Sequence, residues 1–186
     1  MKRVFFLSLL CSFVFAADMV EGTKISKYTG QVYSDSKSFD IQVSSVMNHY
    51  TREHRYVPLI VQVHNWTAAN VRVSMKQFSL RDDKGNSWSP IGLQEYLDNH
   101  LLQNRRNLKY LKRRGDNGIE TKKDVWYIEN TKFYPLVGAG GQVDRVNLRP
   151  NFYCVDWLYF EQPGPGNYTL VFQAESGEEM TIPVSL

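Results

Sequence analysis

The sequence predicts an all-β protein, an antiparallel β-sandwich carrying one helical insertion. Three observations lead there. Apolar and polar residues alternate with period two in several separate runs, as they do where a sheet buries one face. Turn residues punctuate those runs every eight to twelve positions, the spacing of a many-stranded sandwich. One stretch, about 91–123, changes to the period of an amphipathic helix.

Taken in order, residues 17–36 are polar and aperiodic and read as a flexible N-terminal arm; the sandwich should occupy 37–186. Phe39, Ile41 and Val43 alternate with Asp40, Gln42 and Ser44. Val57, Leu59, Val61 and Val63 share a face, with Gln62 and His64 on the wet side. Val71, Val73 and Met75 continue the pattern, and Phe78 and Leu80 then fall out of step, which suggests a β-bulge near Lys76-Gln77. Asp83-Lys-Gly-Asn86 supplies turn chemistry. Ser89 and Pro90 can open a helix and Gly115 can stop it, with Leu93, Tyr96, Leu97, Leu101, Leu108 and Leu111 on one stripe. A strand-like aromatic pattern returns over 124–136. Strands are expected at 142–148 and 152–161, then a hairpin through Glu175-Ser-Gly-Glu178. Pro183 points outward from the last strand, which makes that strand a sheet edge.

The first sixteen residues read as an address. Met1-Lys-Arg3, the twelve-residue apolar run Val4–Phe15 and Ala16-Ala17 form a secretory signal peptide, with cleavage after Ala16. Twelve helical residues span about 18 Å, short of a ~30 Å hydrocarbon core. Leu10 precedes Cys11, where a lipid-anchor signal needs a small residue. Export leaves 170 residues with 20 basic and 19 acidic side chains, so the formal charge falls from +3 to +1. Cys154 becomes the lone cysteine, inside the apolar run 152–160, where it reads as a small buried hydrophobe. The destination is secreted or periplasmic, and the two-charge start suggests a bacterial host. Asn65-Trp-Thr67 and Asn167-Tyr-Thr169 have the form of glycosylation sequons, which matter only in a eukaryote.

Gly166-Asn-Tyr168-Thr-Leu170-Val-Phe172 resembles the penultimate strand of immunoglobulin-like domains. There a tyrosine two residues before a core position bonds back to backbone at the strand corner. With Val61-Gln-Val-His-Asn65, Phe78–Gly85, Leu148-Arg-Pro150 and Val155–Phe160 in that order, residues 38–186 resemble the immunoglobulin-like domains of secreted bacterial proteins and lipoproteins. These are similar in fold to the mycobacterial immunoprotective extracellular antigens. The resemblance implies an immunoglobulin-like sandwich and transfers no catalytic residue. The helical stretch and the absent lipid-anchor cysteine depart from the commonest members.

No nucleophile elbow, phosphate-binding loop or zinc-protease helix motif occurs, and Gly138-Ala-Gly-Gly141 lacks the strand-to-helix context of a phosphate cradle. No cofactor is expected. The readings that remain are three. A binding or envelope-support protein would use the basic residues Arg105, Arg106, Lys109, Lys112, Arg113 and Arg114 with the aromatic Trp126, Tyr153, Trp157 and Tyr159. Residues 125–186 hold three basic and seven acidic side chains, so the charge is polarised, suited to an unknown protein or an anionic envelope component; export argues against nucleic acid. The alternative is a metal-binding protein using His49, Glu53, His54 and His64. A hydrolase with a dispersed site is the third.

Overall fold

The structure is a computed structural model and describes residues 23–25, 31–45, 55–99, 128–130, 133–134 and 145–186. Twelve strands are seen among them: β1 (Thr23–Ile25), β2 (Gln31–Asp35), β3 (Phe39–Ser44), β4 (Tyr56–Asn65), β5 (Val71–Ser74), β6 (Phe78–Arg81), β7 (Ser87–Trp88), β8 (Ile128–Asn130), β9 (Arg145–Leu148), β10 (Tyr153–Glu161), β11 (Asn167–Gln173) and β12 (Glu179–Ser185). They form a six-stranded sheet in the order β1-β2-β3-β4-β10-β8, a four-stranded sheet β12-β11-β6-β7, and the separate pair β5-β9. All pairings are antiparallel except β8 with β10, which is parallel. The all-β class follows. No helix among the described residues is long and apolar enough to cross a membrane.

The core lies between the two larger sheets. Phe39, Ile41 and Val43 on β3, Val57, Leu59, Val61 and Val63 on β4, and Cys154, Leu158 and Phe160 on β10 face it from one side. Phe78 and Leu80 on β6, Leu170 and Phe172 on β11, and Met180, Ile182 and Val184 on β12 close it from the other. Phe172 joins the layers, its ring 5.6 Å from Phe39 edge-on and 5.0 Å from Phe78. Aromatic pairs at such separations add to their area burial. Cys154 is a buried thiol, as its setting suggested.

Several expectations change. The apolar parity shift after Met75 is no simple bulge. Residues Met75–Gln77 form one 3-10 turn, and the chain leaves the β5-β9 pair to enter the four-stranded sheet. Gln77 Oε1 accepts the Ser74 N–H at 2.7 Å, which holds that turn. Within the stretch expected as an arm, β1 and β2 pair in sequence onto β3. The wet face expected for β4 is absent: all ten of its residues are buried, Gln62 and His64 included.

The helical insertion is minimal among the described residues: one two-turn helix, α1 (Leu93–Asn99). It starts three residues beyond Pro90 because the intervening backbone joins the sheet edge, Ile91 N–H donating to Tyr159 O at 2.8 Å. Tyr96 is fully buried, whereas Leu97, expected on the same stripe, is 40% exposed. Residues 100–127, with the rest of the expected helix, lie outside the described residues.

The turns behave more nearly as expected. Asp82, one residue before the predicted run, organises the β6-β7 turn: its carboxylate accepts from Lys84 and Asn86 N–H, and Gly85 takes φ 84°. That φ favours glycine. The β11-β12 hairpin turns at Gly177, φ 88°, and β12 with the exposed Pro183 is a sheet edge.

Candidate functional site

Three places on the described residues gather chemistry-bearing side chains. The first is the edge of β10 beyond its pairing with β8 at Tyr153–Val155. Asp156 lies opposite Val61, on the core side of the sheet, and is buried. A buried carboxylate needs hydrogen bonds, and Asp156 accepts from the N–H of Phe133 at 2.6 Å and of Trp157 at 2.7 Å. Phe133 is thereby tied to the strand. Its neighbour Tyr134 donates its hydroxyl to Ile91 O at 2.8 Å, while the Tyr159 N–H bonds to the same phenol oxygen. One hydroxyl therefore completes the ladder between residue 91 and β10. Above it Tyr96, Tyr134 and Tyr159 pack together, with ring centres 4.8–5.4 Å apart. Burial pushes the Tyr134 and Tyr159 hydroxyls well above the ordinary tyrosine range, and the Asp156 charge adds to it. These phenols stay protonated, and Tyr134 acts as a structural donor.

The second place is the face of the six-stranded sheet turned away from the core. Asp40, His64 and Tyr153 form one cross-strand row, with Gln42 and Gln62 in the next. All five are buried. Trp66, 42% exposed, covers His64 with ring centres 3.8 Å apart, and Tyr153 meets His64 edge-on at 6.4 Å. Burial raises the Tyr153 hydroxyl pKa. His64 is thus a buried sheet residue beside Asp40. No group of three His, Cys, Asp or Glu side chains able to hold a metal is found among the described residues. His49, Glu53 and His54, the heart of the metal reading, lie outside the described residues.

The basic residues Arg105, Arg106, Lys109, Lys112, Arg113 and Arg114 and the aromatic Trp126 also lie outside the described residues. Of the remaining aromatic candidates, Tyr153 and Tyr159 are buried, and Trp157 is half-buried, stacked on Tyr159 at 6.1 Å. Tyr96 and Tyr134 cover Tyr159, so this face is packed rather than presented. Asn65 of the first sequon is fully buried. Its Nδ2 donates to Ala69 O and Leu148 O and its Oδ1 holds Thr67, which makes it a turn anchor whose amide nitrogen is fully engaged.

The third place was missed by the sequence reading. On the outer face of the four-stranded sheet a concavity of about 340 Å³ is lined by Lys76, Gln77, Ser79, Arg81, Gln173 and Glu175, with Val171 between them. Val171 lies opposite Ser79 and Thr181 and points away from the core, yet it is only 2% exposed. Arg81 on β6 and Glu179 on β12 reach towards each other across β11, Nη1 to Oε1 at 3.7 Å, which roofs that valine. Gln77 presents a buried Nε2 that finds no hydrogen-bond partner. The signal available in the sequence was the outward set of the alternation, Ser79, Arg81 and Gln173, which looks like any solvated sheet face until β6 and β11 are known to be neighbours.

Compared with known proteins, the chain matches no family model, no curated protein and no solved structure.

Proposed function

We propose that the chain is an exported, non-enzymatic binding module of the immunoglobulin-like class, secreted or periplasmic, that recognises a macromolecular component of a bacterial envelope without a cofactor. The class is supported by strand order. An immunoglobulin-like domain sets its first, second and fifth strands in one sheet and its third, sixth and seventh in the other. Here β3, β4 and β10 adjoin in one sheet and β12, β11 and β6 in the other. Tyr168 adds to this, its hydroxyl reaching Pro163 O at 3.2 Å and Gly164 O at 3.1 Å, two residues before the core Leu170.

The observation that carries the binding role is the contrast between sheet faces: among the described residues the polar concavity is on an uncovered face, while the buried polar groups at the edge of β10 hold loops in place. A rigid sheet that carries a polar concavity is suited to recognition. The test is co-sedimentation of the purified protein with an envelope preparation. Ser79→Arg, which fills the concavity, should abolish association without changing the thermal melt. Charge reversal at Arg105, Arg106, Lys109, Lys112, Arg113 and Arg114 tests a contribution from an anionic surface. Association unchanged in both variants would overturn the proposal.

A further inference from the structure

The donors and acceptors of the concavity have a particular arrangement. Ser74 N–H occupies Gln77 Oε1, which fixes the amide at the end of the concavity and leaves Nε2 buried without a partner. Arg81 brings a cation to one end of the lining and Lys76 to the other, with the Ser79 hydroxyl between them. Gln173 and Glu175 stand on the other side and bring acceptors. Val171 supplies a small apolar floor. Ring hydroxyls are recognised where donors and acceptors converge, a carboxylate where a guanidinium is at hand, and the C–H face of a sugar ring on an apolar floor.

Arg81 is engaged only weakly. Its 3.7 Å approach to Glu179 is longer than the 2.7–2.9 Å of a good charge-assisted hydrogen bond, and both side chains are close to half exposed. Such exposed pairs are held loosely. A ligand carboxylate arriving at bonding distance replaces Glu179 as the partner of Arg81 and leaves Glu179 to water.

We infer that the outer face of the four-stranded sheet is a binding site for a sugar acid, the carboxylate held by Arg81 and the ring hydroxyls by Ser79, Gln173 and Glu175 over Val171. The volume of about 340 Å³ suits a single ring. This rests on the binding-module reading above and gives its ligand a chemical class.

The test is an NMR titration of the labelled protein with D-glucuronate, followed at the amides of β6 and β11. Saturable shifts are expected there, with D-glucose and acetate each binding at least about tenfold more weakly, since each lacks half of the recognised groups. Arg81→Ala should weaken glucuronate about tenfold. Glu179→Gln should strengthen it by about two- to fivefold, because the competing carboxylate is gone while the cation remains. An absence of saturable shifts with glucuronate, equal binding of glucose or of acetate, or weaker binding in Glu179→Gln would each overturn the inference. Should glucuronate fail while Ser79→Arg still abolishes co-sedimentation, the ligand class falls and the binding-module reading stands. Should glucuronate bind as described while co-sedimentation ignores Ser79→Arg, the envelope role falls and the sugar-acid site stands.

Discussion

On the six-stranded sheet, β4 encloses Gln62 and His64 as completely as Leu59 and Val61, and β10 encloses Tyr159 on the side away from the core. On the four-stranded sheet, Gln173, Glu179 and Pro183 remain in water beside core residues as apolar as those of β4. Both sheets are written with the same period-two alternation. Their difference comes from what lies over the outer positions among the described residues: Tyr96 of α1 and Tyr134 over Tyr159 and Trp66 over His64 on one sheet, and the Arg81–Glu179 pair on the other. An outward position is therefore two kinds of place in this molecule, and substitution should tell them apart.

The largest contrast is expected between Tyr159→Ala and Thr181→Ala. Removing a buried aromatic side chain leaves a cavity and costs about 3–5 kcal/mol, whereas a substitution on an open sheet face stays within about 0.5 kcal/mol. Both residues point away from the core, so equal losses in urea unfolding would break the comparison.

Alkaline pH sharpens it next. Tyr134 and Tyr159 have hydroxyl pKa values raised by burial above the ordinary 10.0. Below that value the phenols are protonated in both folded and unfolded chains, and the stability they confer is fully present. Above it the unfolded chain releases their protons while the folded chain retains them, so stability falls by about 1.4 kcal/mol per pH unit for each phenol. Tyrosinate absorbance from these two should rise only together with loss of the near-ultraviolet circular dichroism. Ionisation that precedes unfolding would mean that the covered face is open to water.

Tyr134→Phe probes the same cover through one atom. The substitution keeps the ring against Tyr96 and Tyr159 but removes the hydroxyl shared by Ile91 O and Tyr159 N–H. Two buried backbone groups lose a partner, at a cost of about 1–3 kcal/mol. Hydrogen exchange at the Tyr159 amide should accelerate beyond what global destabilisation explains.

The same contrast sets the limit of what the sequence discloses. Core positions such as Val57–Val63, Leu170 and Phe172 are legible because alternation depends on neighbours two residues apart. The corner contact of Tyr168 is legible too, since Pro163 and Gly164 are five and four residues away. The cover is not: Tyr134 meets Ile91 across 43 positions, and Asp156 meets Phe133 across 23. Polar Gln62 and His64 advertise a wet face, and only the tertiary structure buries them. The shift after Met75 records a change of sheet, which produces the same parity break as a bulge. The concavity escaped for a related reason: Ser79 and Val171 become neighbours only through the β6-β11 pairing.

The smallest stability effect belongs to the open face. Glu179→Gln removes an exposed ion pair spanning 3.7 Å, worth at most about 0.5 kcal/mol, so chemical unfolding should barely register it. Raising the salt concentration should have an equally small effect on the wild type, because screening acts on the same pair. The two measurements bear on one question, whether Arg81 is held by the fold or held in reserve. A loss well above 1 kcal/mol would mean that the pair braces β6 against β12 across β11, and the outer face would then be structural like that of its partner sheet. A near-neutral result leaves the guanidinium available over Val171, whereas Tyr159 on the other sheet is packed beneath Tyr96 and Tyr134.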